Sequence, residues 1–287
     1  MHEESMIAVA ENKYGKSRVR LVRVKRKDGW HDLREWTIEV LLRGDFDSCF
    51  IEGDNSKILP TDTMKNTVYS LARDSSTECL EDFAKELVEF FLQHNPQVSE
   101  VEVAISGKAW EHLQCDGQPQ PTTFIQASGE IQTTKVARTQ KGELSVSSGL
   151  ENLVVMKTSG SAFEGYIQDS LTTLPPSQDR LLGTVVNAHW KYAPTLVDFS
   201  PLRAKAREIL LTAFSEHESK SLQHTLYAMG RAVLERLSEV EDIELTMLNK
   251  HCLLVDLSRF GQDNPNEIFV PVDEPHGNIQ ARLRRQG

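Results

Sequence analysis

The sequence has no long apolar run, few cysteines and no excess of basic charge, and each shortage removes a class of explanation. Its apolar stretches stay well short of the roughly 20 residues that a membrane helix needs. The four cysteines, Cys49, Cys79, Cys115 and Cys252, are far apart and form no C-x-x-C. Neither a zinc knuckle nor a disulfide scaffold is indicated, and a reducing compartment, the cytoplasm, is expected. With 32 Lys and Arg against 42 Asp and Glu, the net charge of -10 repels phosphate backbones and anionic lipid. Neither nucleic acid nor membrane is therefore an expected partner, although a local basic pocket can still hold a small anion. No Walker loop, G-x-G-x-x-G, H-E-x-x-H or G-x-S-x-G occurs, so the usual cofactor signatures are missing. The start MHEESM lacks the basic and apolar regions of a signal peptide, and the final Arg-Arg-Gln-Gly is not a peroxisomal address.

What is present is the balance of a globular protein, 39% apolar and 26% charged over 287 residues, enough for two units of ordinary size. Val19, Leu21, Val22 and Val24 lead to Asp28-Gly29, a turn signal, and Trp36, Ile38, Val40 and Leu42 then alternate, so the pair predicts a hairpin. A helix is expected from about Asp62, with Met64, Val68, Leu71 and Ala72 on one side and Thr61 or Asp62 as its N-cap. A second should open at a Ser75-x-x-Glu78 capping box and carry the stripe Leu80, Phe83, Ala84, Leu87, Val88, Phe91 and Leu92. Alternation returns at Val101, Val103 and Ile105, and near Thr122 to Ile125 after the turn Asp116-Gly117.

The order then repeats. Extended segments at Leu153 to Met156 and Thr184 to Trp190 precede a helix opened by Ser200-Pro201, and another carries Leu222, Leu226, Met229, Val233 and Leu237. Strands at Ile243 to Met247 and Cys252 to Leu257, with Asn249-Lys250-His251 as the turn between them, should close the unit. The polar stretch from Ala127 to Ser148 is the expected junction, which divides the chain into units 1–140 and 141–287. The reading is an α+β protein of two tandem β2α2β2 units, antiparallel sheets with helices on the outer face. Such sheets need their edges covered, so a barrel closed by oligomerisation is expected.

Asn12-Lys13-Tyr14-Gly15-Lys16, the string EGDNSK from Glu52 to Lys57 and TDTMKNTVY from Thr61 to Tyr69 resemble the urate oxidase family. The likeness continues through TSGSAFEGYIQDSLTTL from Thr158 to Leu174, Asp179-Arg180, SLQHTLYAM around Gln223, and Leu248-Asn249-Lys250-His251, in the family's order. It covers about Asn12 to Gly277 and implies the tunnelling fold, a homotetramer, active sites between subunits, and oxidation of urate by dioxygen without metal or flavin.

The resemblance assigns Phe163 to stacking on the purine and Arg180 to gripping its edge with a planar fork. Taken alone, Phe163 would be a core residue and Arg180 a surface ion pair with Asp179. Gln223 would offer its amide and Leu222 its backbone N–H to the opposite edge. Lys16, Thr61 and His251 match the proton relay, Asn249 the amide that holds dioxygen or water, and Asp62 the residue that orients the Thr61 loop. Pro60 stands where the family often has a small residue, and Leu222 where valine is familiar. Two alternatives remain beside this reading: a metal-dependent pterin enzyme of the same fold, which would need a Cys/His cluster, and a purine-binding protein without chemistry. His217 and His224 lie two helical turns apart but have no accompanying ligands, so they are expected to be solvated or locally bonded rather than metal-bound.

Overall fold

The computed structural model describes residues 7–194, 197–272 and 274–286. The acidic start MHEESM and the final Gly287 lie outside the described residues. The chain divides between Ser148 and Gly149 into two compact units.

The first unit begins with strands β1, Tyr14–Lys27, and β2, Trp30–Gly44. Asp28 (φ 50°) and Gly29 (φ 78°) join them as a two-residue turn with both central residues left-handed, the geometry that matches the twist of a hairpin. Helices α1, Asp47–Ile51, α2, Thr61–Asp74, and α3, Leu80–His94, follow. Strands β3, Val98–Cys115, and β4, Gln118–Thr139, complete the unit through a second such turn at Asp116 and Gly117. The strand order is β1-β2-β3-β4, antiparallel throughout.

The alternation in β2 and β3 has a plain cause, because one sheet face carries the helices. Trp36, Ile38, Val40 and Leu42 bury there with Val101, Val103 and Ile105, against Met64 and Val68 of α2 and Phe83, Leu87, Val88 and Phe91 of α3. Trp36 stacks on Phe83 with ring centroids 5.3 Å apart. Each large side chain buried here contributes about 1.5–3 kcal/mol. The other residues of these strands carry paired charge: Glu102 sits between Lys13 (3.0 Å) and Lys135 (2.8 Å), and Glu35 between Lys108 (2.7 Å) and Arg20 (3.4 Å).

Two helix starts differ from expectation. Pro60, not Thr61 or Asp62, occupies the N-cap of α2, and its fixed φ of -57° leads the chain into the helix. Ser75 is the C-cap of α2 rather than part of a capping box. Its hydroxyl accepts the Thr77 N–H, Thr77 in turn accepts the Cys79 N–H, and α3 starts only at Leu80. Two short side-chain turns thus absorb the polar residues that resembled a cap.

The second unit begins within β5, Ser145–Lys157, and runs on through β6, Leu182–Tyr192, α4, Phe199–Glu216, α5, Leu222–Arg236, β7, Val240–Leu254, β8, Phe269–Val272, and β9, Asn278–Arg284. Its order is β5-β6-β7-β9, with β8 paired only to the far end of β7. Val186, Ala188 and Trp190 of β6 and Ile243, Leu245 and Met247 of β7 bury with Ala206, Ile209 and Leu210 of α4 and Leu226, Met229 and Val233 of α5. Ser221 caps α5 by accepting the His224 N–H at 3.1 Å.

Here two expectations fail. Asn249-Lys250-His251 is not a turn, and no separate strand starts at Cys252: β7 runs straight through to Leu254, and the fourth strand of the sheet is β9. None of those three residues takes the left-handed conformation that a tight turn requires, and Gly183 and Thr184 of β6 stay in register with Lys250 and Asn249. The polar stretch 127–148, the expected junction, ends where the two units divide, but most of it is strand, since β4 continues to Thr139 and β5 begins at Ser145. Its Thr and Gln residues belong to strand, with Thr134 buried and its hydroxyl donating to the Ser147 carbonyl at 2.8 Å. Among the described residues no helix is long and apolar enough to cross a membrane.

Candidate active site

In the first unit three candidate residues gather around the entrance to α2. Lys16 lies on β1 opposite Val40, just before a bulge whose Arg18 has φ 58°. Its neighbour must be glycine, because a Cβ on Gly15 would stand 1.9 Å from the Val40 carbonyl oxygen. Tyr14, next along the strand, clamps the loop before α2. Its hydroxyl accepts the Leu59 N–H at 2.8 Å and donates to the Leu59 carbonyl at 3.2 Å, while its ring meets Phe46 edge-on. Thr61 and Asp62 follow as the first two residues of α2. Hydrogen bonding from Lys65 holds the Asp62 carboxyl below the usual carboxylate range, with the Lys16 charge adding to the effect.

In the second unit a cavity of about 450 Å³ opens beside the end of β7. That size falls within the range of roughly 300–1,000 Å³ typical of small-molecule sites. Phe163, Arg180, Asn249 and His251 all line it, with Leu254 and Phe269 among its apolar wall. Two come from the irregular segment Thr158 to Leu181, which joins β5 to β6. Phe163 is fixed by paired backbone bonds with Ser177 (2.7 and 3.0 Å), and Tyr166 stacks on its ring at 4.7 Å. The other two sit where β7 changes partners. Residues up to Leu248 pair with β9 and those from His251 pair with β8, while the Asn249 N–H goes to the Gly277 carbonyl at 2.8 Å.

Arg180 is the electrostatic centre of the cavity. Its guanidinium lies 4.9 Å from the Phe163 ring, its Nε is buried without a hydrogen-bond partner, and burial pushes its pKa down. The ion pair with Asp179 does not form, because Asp179 is turned to Ser159 and Ser161 instead. Among the described residues no carboxylate pairs with Arg180. A half-buried cation short of a counter-charge favours an anion, and its planar fork suits a flat, oxygen-rich edge.

Leu222 and Gln223 are the first residues of α5, Leu222 buried and Gln223 exposed. The turn before them is tied to the Phe163 segment, since Ala162 N–H donates to the Ser219 carbonyl (2.7 Å) and Ser219 N–H to Gly160 (2.9 Å). The leading N–H groups of a helix have no acceptor within it, and Leu222 supplies the first of them in α5. His217 and His224 bond to each other, Nε2 to Nδ1 at 3.1 Å.

The candidate set is therefore divided: Lys16, Thr61 and Asp62 belong to the first unit, and Phe163, Arg180, Leu222, Gln223, Asn249 and His251 to the second. Tyr14, Ser161, Ser219 and Asp179 were not singled out from the sequence as supports. A polar residue adjoining a candidate was the available sign, and it does not say which way the side chain turns.

A family model described as Uricase matches residues 12–137 and 146–280. The uricase of Arthrobacter globiformis is 39% identical over 281 residues, covering 98% of this chain and 91% of its own length. The uricase of Dictyostelium discoideum is 34% identical over 282 residues, 98% of each. The crystal structure of the Arthrobacter globiformis uricase superposes with a TM-score of 0.93 at 38% identity, covering 99% of this chain and 96% of that one. These likenesses span both units and do not favour a pterin enzyme or a binding protein without chemistry.

Proposed function

The chain belongs to the uricase family and is an oxidoreductase acting on urate, and from that premise we propose how its residues divide the work. Urate, dioxygen and water give 5-hydroxyisourate and hydrogen peroxide. Phe163 stacks on the purine, Arg180 binds the anionic edge bidentately, and Gln223 with the Leu222 N–H holds the opposite edge. Lys16, Thr61 and His251 move protons, Asn249 holds dioxygen or water over the ring, and Asp62 orients the Thr61 turn. The observation that carries this reading is Arg180, a cation in a small-molecule cavity with a free Nε and no carboxylate partner.

The reducing electrons come from the urate anion itself, so the protein's tasks are orientation, charge stabilisation and proton transfer, with no cofactor needed. Lys16, Thr61 and Asp62 reach the cavity of a neighbouring subunit, in a homotetramer enclosing a tunnel. The four well-separated cysteines suit a reducing cytoplasm. The deciding experiment mixes chelator-treated, flavin-free protein with urate in air and follows urate absorbance and peroxide. Stoichiometric peroxide supports the proposal; turnover only after metal or flavin is added overturns it.

A further inference from the structure

The segment Thr158 to Leu181 carries Phe163 and Arg180 yet contains no helix or strand of its own, so something at its neck must hold its two ends. Asp179 does this. One of its carboxylate oxygens accepts the Ser159 hydroxyl at 2.7 Å and the other the Ser161 N–H at 3.1 Å, while the N–H groups of Gly160 and Arg180 pull the same way. Together these donors hold its carboxyl below the usual range, led by the Ser159 hydroxyl. Across the neck, the Arg180 N–H donates to the Ser161 carbonyl at 2.8 Å, and the Ser177 hydroxyl to the Asp179 carbonyl at 2.8 Å. Gly160, at φ 75°, supplies the left-handed step that points successive N–H groups at one carboxylate.

The consequence falls on Arg180. Asp179 is its sequence neighbour and lines the same cavity, so this carboxylate is well placed to neutralise it. We propose that Asp179 is a positioning residue whose carboxylate is kept off Arg180 by Ser159 and the amides of Gly160 and Ser161, which leaves the guanidinium uncompensated for the substrate anion. The neck thus performs two tasks with one group: it closes the loop, and it withdraws a carboxylate that lines the same cavity. This inference rests on the reading of Arg180 as the urate grip.

The test is steady-state turnover of urate by four variants. Ser159→Ala releases one carboxylate oxygen, which then competes with urate for Arg180. KM should rise about three- to tenfold with kcat within about twofold, the size expected for one competing surface charge. Ser159→Thr keeps the hydroxyl and should stay near the parent. In Ser159→Ala/Asp179→Asn the competing charge is gone, so KM should fall back below that of Ser159→Ala. A neck that is only structural gives the opposite sign, because the second change would loosen it further. A double variant equal to or worse than Ser159→Ala overturns the inference, and so does an unchanged KM in Ser159→Ala. Arg180→Ala serves as the reference: if it leaves KM unaltered, the reading beneath fails and takes the inference with it, whereas a raised KM there with silent Ser159 variants sinks the inference alone.

Discussion

Apart from the short helix α1 in the first and the short strand β8 in the second, the two units share the order strand, strand, helix, helix, strand, strand but place their irregular chain at different joints. In the first unit both hairpins are closed by two-residue Asp-Gly turns, and the irregular residues lie before α2, where the loop delivers Thr61 and Asp62 to a helix start. In the second unit the corresponding joints are long. Thr158 to Leu181 separates β5 from β6, and β8 with its flanking loops separates β7 from β9. The first unit therefore holds its candidates on a strand and a helix end, and the second suspends Phe163 and Arg180 on a loop that must be tied down by side chains. One scaffold thus presents candidates on regular elements in both units, Lys16 on β1 and Asn249 and His251 on β7, and adds a loop-borne pair only in the second, because loops at sheet ends can change without disturbing the helix-covered face.

The sharpest break of that comparison is between chemistry and grip. Lys16→Met should lower kcat by about a hundred- to ten-thousandfold, the range for loss of a proton-transfer group, with KM little changed. A matching loss of urate affinity, read by equilibrium binding, would place Lys16 in the grip instead. Aromatic residues separate the units by stability. Phe83→Ala, in the helix-covered core of the first unit, should cost about 3–5 kcal/mol in denaturant unfolding. Phe163→Ala should change stability by less than about 1 kcal/mol while raising KM, since its ring lies on a loop at a cavity.

Arg180→Ala should weaken kcat/KM by about 2–3 kcal/mol through loss of charge-assisted bonds, and unlike Lys16→Met it should affect both binding and turnover. The smallest effect concerns Cys79. Burial, reinforced by Glu81, pushes its thiol up to about 12 from its ordinary value of 9.0. The folded state holds the proton that the unfolded chain releases, so the stabilisation is complete below pH 9.0 and is lost as pH rises toward about 12. Unfolding midpoints measured from pH 8 to 11 should fall less steeply in Cys79→Ala. Alkylation at pH 8 should label the exposed Cys115 well before Cys79. Equal labelling would show that the α3 entrance opens readily.

Much of the architecture was legible because its signals are local. The Asp-Gly pairs, the α3 stripe and the alternation of β2 each announce their own conformation. What misled was polarity without context. The stretch 127–148 does mark the junction, but its polarity hides that most of it is strand, with Thr and Gln residues of β4 paired to β3 as far back as Glu100. Asn249-Lys250-His251 reads as a turn, but it marks the change of pairing partner from β9 to β8. Ser75 and Glu78 match a capping pattern, yet local side-chain turns took the serine first. As for the candidate site, its residue types were readable through resemblance, while the supports supplied by Tyr14 and Asp179 were not.

Periodicity and turn chemistry, both properties of neighbouring residues, were enough to specify an α+β repeat with helices over one sheet face. Direction was decided only by the fold: which partner a strand takes after Leu248, and toward which donors the Asp179 carboxylate turns. Those outcomes depend on groups distant along the chain whose hydrogen bonds compete on nearly equal terms, so only the assembled geometry selects the winner.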